Sequence, residues 1–275
     1  MIASLRELFN AVGEITFLSI ACFREMFKRP FEWKLIIQQL ELGGFDSWSV
    51  TILAAGFTGM VLSLQFAIGL EPFGASLYTG KLVAVGIVRE LGPVLTALLV
   101  GGRVGSGYTA EIGSMNVTEQ VDAIRALGAD PIRKLVMPRV FAITLALPLL
   151  TMLADLVGCA GGAIITMHEV NVTWRFVYEQ MRESIWIVDL LHGLGKSVFF
   201  GYLIAIIGCW NGLRTFGGTE GVGLATTKTV VYISVSIFIS DFAPHPTLPG
   251  DLWLSKSSSF VAFKRHSKTR LSTMT

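Results

Sequence analysis

The sequence predicts an all-α polytopic membrane protein, with an N-terminal interfacial amphipathic helix, five transmembrane helices and a short cytoplasmic helix between two of them. Three observations predict it. Of 275 residues, 52% are hydrophobic and 15% charged, with a mean hydropathy of +0.61, whereas a soluble domain carries about 25% charged residues. So much apolar surface cannot hide inside one globule of this length, and lipid is the better solvent for it. The apolar residues gather in runs of about 20, the length that crosses a bilayer, and Lys and Arg gather on one side of those runs.

Composition also excludes several classes. A formal charge of +2 is too small to suggest nucleic acid. Cys22, Cys159 and Cys209 lie far apart in apolar settings with no CxxC pair, so they read as small buried hydrophobes. No zinc site or disulfide framework is expected, and no metal or cofactor. The opening "MIASLRELFN" has acidic residues and no small-residue cleavage site after an apolar core, so it does not read as a cleavable signal peptide.

Residues 1–40 place Leu5, Leu8, Phe9, Val12, Ile15, Phe17 and Ile20 at helical spacing among Arg6, Glu7, Glu14, Arg24, Lys28 and Arg29. That pattern fits an amphipathic helix lying along the membrane surface, or a soluble helix. A five-span domain follows over 41–243, with spans at about Ser47–Leu70, Leu82–Val104, Leu135–Thr166, Leu190–Asn211 and Val222–Phe242. The third is long enough to tilt, or to kink at Pro148. Small residues in "AAGFTG", "GGRVGSG" and "GCAGGA" let helices approach closely.

With the N-terminus in the cytoplasm, the inner side holds Arg6, Arg24, Lys28, Arg29, Lys34, Arg103, Arg125, Arg133, Lys134, Arg139, Arg214 and Lys228, and the outer connections hold only Lys81, Arg175 and Arg182, although the tail, which would also be outside, breaks the rule with Lys256, Lys264, Arg265, Lys268 and Arg270. That asymmetry orients the chain. It also places "TEQVDAIRALGADP", residues 118–131, in the cytoplasm. Asn116 reads as an N-cap with Glu119 three residues on, and Val117, Val121, Ile124 and Gly128 share a face with Leu127 beside it. Gly128 stops the helix and Pro131 prevents its continuation. Pattern alone leaves two readings open: a helix resting on the bilayer, or a knob docked in a cytoplasmic partner.

The stretch "GKLVAVGIVRELGPVLTALLVGGRVGSGYTAEIGSMNVTEQVDAIRALGADPIRKLVMPR" resembles the signature of the MlaE-type permeases of lipid ABC transporters, and "GMVLSLQ" and "GLATTKTVVYISVSIFISDF" are similar too. The resemblance covers about residues 1–242. It implies a homodimeric inner-membrane permease that moves phospholipid between the inner and outer membranes, with a cytoplasmic ABC ATPase on one side and a periplasmic MCE-domain protein on the other. It also implies that 117–128 is a coupling helix, with Glu119, Gln120, Val121, Asp122, Ile124, Arg125 and Leu127 meeting the ATPase.

ATP hydrolysis is not expected of this chain. A phosphate-cradling loop needs G-x-x-x-x-G-K-[ST] between a strand and a helix, and the nearest match, "LHGLGKS", lacks the first glycine and falls in a span. The intramembrane charges are more telling. Arg89, Glu90, Asp155, Lys196 and Asp241 interrupt the spans, and each isolated charge at the bilayer centre costs about 2.5–3.5 kcal/mol on insertion scales. They should face the bundle interior and pair, either to pin helices or to couple helix movement to a lipid cavity. The resemblance implies a transport role for Arg89, Glu90, Lys196 and Asp241, and less directly for Asp155.

A phospholipid wants an apolar slot, and Leu62, Leu64, Phe66, Leu70 and Phe73 near the end of the first span could line one; ordinary packing or lipid contact is the alternative. The outer segment "HEVNVTWRFVYEQMRESIW" mixes aromatics and charges as interfacial segments do. The competing function is an intramembrane lipid-modifying enzyme using Asp155 with His192 or Glu90, although no HExxH or GxSxG motif accompanies them. After Phe242, Pro244, Pro246 and Pro249 end helical structure and a Ser-, Thr- and Lys-rich stretch follows. Residues 244–275 are expected to be disordered, either as a real appendage or, the preferred reading, as the product of a frameshift.

Overall fold

A computed structural model describes residues 2–26 and 33–242, and among them every regular element is helical. The expectations for 244–275 lie outside the described residues. Helix α1 covers Ile2–Met26 and α2 covers Trp33–Gly43. Then come α3 (Trp48–Leu70), α4 (Thr79–Gly86), α5 (Gly92–Val100), α6 (Ser106–Val117), α7 (Gln120–Ala126), α8 (Met137–Val170), α9 (Trp174–Ser184), α10 (Ile187–Leu213) and α11 (Gly218–Phe242). Five stretches are long and apolar enough to cross a membrane, centred on α3, α4–α6, α8, α10 and α11.

The second span departs most from its expected bounds. It runs Ser76–Val117, 42 residues, or about 60 Å at the helical rise, twice the hydrocarbon thickness of about 30 Å. Two π-helical turns, Ile87–Leu91 and Gly101–Gly105, join α4, α5 and α6 within it. A third, Ile132–Val136, leads into α8. Each takes an extra residue into the turn, which re-aims the side chains around it. α7 follows the polar end of this long span.

Close backbone contact holds the spans together. At the α3–α8 crossing a Cβ on Gly59 would lie 2.0 Å from the carbonyl oxygen of Gly158, so only glycine fits. One turn along, the hydroxyls of Ser63 and Thr166 hydrogen-bond at 2.7 Å. α6, α10 and α11 meet at a buried polar hub. Thr109 Oγ1 donates to Gly208 O at 2.9 Å and lies 2.8 Å from Thr229 Oγ1, while Asn211 Nδ2 donates to Ala225 O at 2.8 Å. The main core joins Val100, Val104 and Ile112 to Ile143, Leu147, Phe200, Ile204 and Ile233. α8 runs through Pro148 as one helix.

α1 packs on this core through Ile15, Leu18 and Cys22, while Val12, Phe17, Ile20 and Phe23 face outward. An apolar surface on both sides suits a helix with protein on one face and lipid on the other. Burial pushes the Cys22 thiol up to about 11. Glu14 fastens the helix: it accepts from Trp210 Nε1 at 3.0 Å and from Arg214. On the opposite side α9, within the segment expected to be interfacial, sets Val177 and Met181 against Val83, Ala84 and Ile87, and turns Trp174 and Tyr178 outward.

Candidate functional site

The π-helical turn Ile87–Leu91 faces one side of α10. Arg89 pairs with Asp189 at 2.8 Å, and Glu90 accepts from Lys196 Nζ at 2.7 Å. Asp189 and Lys196 are seven residues apart, two helical turns on one face. Between them lies Gly193, where a Cβ would be 2.4 Å from the carbonyl oxygen of Val88. The sequence explains that approach. Gly92 N–H donates to Ile87 O in the π pattern, so the next N–H in the ladder would serve Val88 O, and residue 93 is a proline without one. The unserved carbonyl is left to lie against the glycine Cα of the neighbouring helix.

Of the charges singled out from sequence, Asp155 stands apart from Arg89, Glu90 and Lys196. Arg89, Glu90 and Lys196 come together on the seam between the second and fourth spans. Asp155 lies on α8, buried against Gly92, where a Cβ would meet its Oδ1 at 1.8 Å, and it has no hydrogen bond or ion pair among the described residues. Neither His192 nor Glu90 partners it, so the acid–base pair that an enzyme would need is not assembled. Asp241 lies in the last turn of α11, in the separate terminal unit Ile239–Thr275.

Asp189 was the member of this seam missed by sequence reading. It stands at the boundary of an apolar run and reads as an ordinary end-of-helix acid. Its Oδ2 does accept from Trp186 N at 3.1 Å, an N-terminal cap, while Oδ1 serves Arg89. The signal was present as an acid three residues into a helix after "ESIW", but capping alone does not announce an ion pair.

At the other end of the second span, α6 stops at Val117 and the chain reverses through Glu119, whose φ of 60° is left-handed. That conformation is uncommon away from glycine. Asn116 does not cap α7; its Nδ2 donates to Thr215 O at 3.1 Å instead. α7 covers only Gln120–Ala126, and Gly128, two residues on, has a φ of 77° and donates its N–H to Arg125 O at 2.9 Å. The apolar stripe turns inward: Val121 is fully buried and Ile124 half-buried. The outer face carries Glu119, Gln120, Asp122 and Arg125, the last two paired at 2.8 Å, with Leu127 86% exposed beside them.

Between α6 and α8 sits a cationic joint that sequence reading counted only as a basic residue. Arg139, at the start of α8, is buried. It pairs with Glu111 of α6 at 2.8 Å, donates to Leu135 O at 2.6 Å and lies 5.6 Å over the Tyr108 ring. It ties the base of the second span to the base of the third.

Of the lipid-slot candidates, Leu62 and Phe66 pack against the small cluster around Val83, Ala84 and Ile87. Leu70 continues their stripe half-buried, Phe73 is 82% exposed, and Leu64 points elsewhere on α3. A crevice between α3 and α5 reaches both ends of the π-helical turn and is lined by Thr51, Ala55, Ile87, Leu91, Leu95 and Thr96. Among the described residues no group of three or more His, Cys, Asp or Glu could hold a metal.

The family model for the permease MlaE matches residues 36–244. A "Probable ABC transporter permease protein" of Synechocystis is 41% identical over 241 residues, 87% of this chain and 91% of that one. Another, from Rickettsia typhi, is 38% identical over 233 residues, 85% and 90% of the two chains. The "Intermembrane phospholipid transport system permease protein MlaE" of Haemophilus influenzae is 35% identical over 237 residues, 86% and 91%.

Proposed function

The chain belongs to the MlaE permease family, and from that premise we propose that it is the membrane subunit of an ABC transporter that moves phospholipids between the inner and outer membranes of a bacterium. It works as a homodimer in the inner membrane with its N-terminus in the cytoplasm. A cytoplasmic ABC ATPase supplies the energy and docks on the outer face of α7. A periplasmic MCE-domain protein meets the side that carries α9. The residue asymmetry of Lys and Arg supports that orientation, because it puts α7 and the docked α1 on the positive side.

One observation carries the mechanism: the two ion pairs and the Val88–Gly193 contact that clamp the π-helical turn Ile87–Leu91 to α10. Charged groups inside a membrane persist when they are paired and do work there. A turn with an extra residue can revert to a regular helix, and reversion rotates the side chains that follow it. ATP-driven movement of α7 pulls on α6 and, through Arg139, on α8. The second span passes that pull to its π-helical turn, the pairs to Asp189 and Lys196 loosen, and the stripe Leu62, Phe66, Leu70 next to the turn opens and closes on acyl chains. Lipid enters from the bilayer, and its headgroup leaves on the α9 side.

The experiment is reconstitution of permease and ATPase in vesicles, with lipid transfer to an acceptor followed by mass spectrometry. Transfer that requires ATP and falls in Lys196→Ala supports the reading. Transfer unchanged in both Lys196→Ala and Glu90→Ala overturns it.

A further inference from the structure

The two connections on the α7 side each present one large apolar side chain. Leu127 follows α7, and Phe216, 78% exposed, lies between α10 and α11. Phe216 belongs to a loop whose other positions are tied down. Arg214 is held by Glu14 and stacks 5.2 Å over the Trp210 ring. Thr215 is buried, its hydroxyl donates to Asn211 O at 3.0 Å, and its carbonyl accepts from Asn116 at 3.1 Å. Gly217 and Gly218 take φ values of 91° and 68°, open to glycine, and Gly221 is so close to the Phe216 carbonyl that a Cβ there would lie 1.8 Å from its oxygen. The loop has no slack, yet it holds an aromatic ring in the open.

We propose that Phe216 is a second apolar anchor for the ATPase that docks on α7, seating in an apolar pocket of that partner beside the one that takes Leu127. The proposal rests on the reading of α7 as the docking helix. Continuity of the two surfaces argues for it: Asn116, in the last turn of α6, holds the Phe216 loop, and four residues later the same stretch of chain enters α7. Position argues against a lipid-anchoring role. α10 has 27 residues, about 40 Å against a hydrocarbon layer of about 30 Å, and Phe216 lies past its polar end among Arg214, Glu14 and Asn116. A loop whose backbone is already held loses little further freedom when its ring is buried, and aromatics carry a large share of interface energy. Gripping this loop as well as α7 gives the ATPase a hold on α10 and α11, the partners of the π-helical turn and of the Thr109 hub, and not only on the second and third spans.

The test is ATPase affinity for the full-length permease in detergent or nanodiscs, measured for wild type, Phe216→Asp, Phe216→Leu and Leu127→Asp, each checked for a monodisperse, wild-type elution profile. The expected result is a Kd raised at least about tenfold by Phe216→Asp, wild-type-like affinity in Phe216→Leu, and a loss also in Leu127→Asp. Loss in Leu127→Asp with unchanged affinity in Phe216→Asp overturns the second anchor and leaves the α7 reading standing. Unchanged affinity in both overturns the two together. Should Phe216→Asp not elute normally, a photo-crosslinker at 216 decides: adducts with the ATPase support the anchor, and adducts with lipid alone overturn it.

Discussion

Glu90 and Arg89 are neighbours in sequence, yet they reach Lys196 and Asp189, two full turns apart on α10, at 2.7 and 2.8 Å. The wider π-helical turn makes that divergence possible, and Gly193 between the two pairs lets the backbones touch. The seam is a two-point clamp whose jaws are charges and whose hinge is a backbone contact.

Lys196→Ala breaks one jaw. Lys196 is 17% exposed and Glu90 41%, so the loss in folding stability is about 2 kcal/mol, the scale of a charged hydrogen bond and not of a fully buried pair. Transport falls much further than stability. Adding Glu90→Gln removes the stranded carboxylate and recovers part of the thermal midpoint. A double variant no more stable than the single one would mean that Glu90 is not the residue stranded.

Gly193→Ala tests the hinge. Its Cβ has a backbone oxygen at 2.4 Å in the way, and overpacking of this kind costs about 1–3 kcal/mol. Lipid transfer drops because the second span and α10 are held apart, although no charge has changed. Gly195→Ala, two residues away with open space around it, is the control and keeps both stability and transfer. Equal effects from the two alanines would show that helix propensity and not the Val88 contact is responsible.

Arg139→Ala uncouples the base of α6 from that of α8 and leaves a hole beside Tyr108. Stability falls by about 3 kcal/mol. Arg139→Lys keeps the charge but not the forked geometry, so it restores most of the thermal midpoint. In Arg139→Lys, basal ATP hydrolysis by the assembled complex stays normal while lipid transfer per ATP declines. Transfer per ATP at the wild-type value would reduce Arg139 to a structural role.

Val121 within α7 and Leu127 just after it separate cleanly. Val121→Asp puts a charge into a fully buried position and the variant fails to accumulate in the membrane. Leu127→Asp is made at an exposed position and inserts normally but binds the ATPase weakly. Charge reversal at Glu119 together with Asp122 acts like Leu127→Asp. Ile124→Asp, half-buried, shows both defects. Normal accumulation of Val121→Asp, measured by fluorescence-detected size-exclusion chromatography, would contradict the inward orientation of the stripe.

Much of this chain was legible as a linear pattern, because the physics behind it is local. Apolar runs of bilayer length marked the spans, since lipid leaves backbone groups no partner outside the helix. Gly128 marked a turn shortly after α7, since its left-handed φ suits glycine. The cost of charge in lipid announced that Arg89, Glu90 and Lys196 need partners. Which partners they have, and which way α7 faces, was decided by the tertiary structure. The extra residue in the turn Ile87–Leu91 sets where Arg89 and Glu90 point, and nothing in a one-dimensional period records it. Asp189 looked like a cap because it is one; only the register of α10 against that turn makes it an ion-pair partner as well. Val121 and Ile124 formed an apolar stripe that a periodicity could detect but could not aim, since a helix buried against its own chain and one buried in a partner have the same pattern. Asp155 shows the same limit in reverse. Its burial without a partner comes from the close approach of α8 to Gly92, a contact between residues 63 positions apart whose distance is fixed by the packing of whole helices.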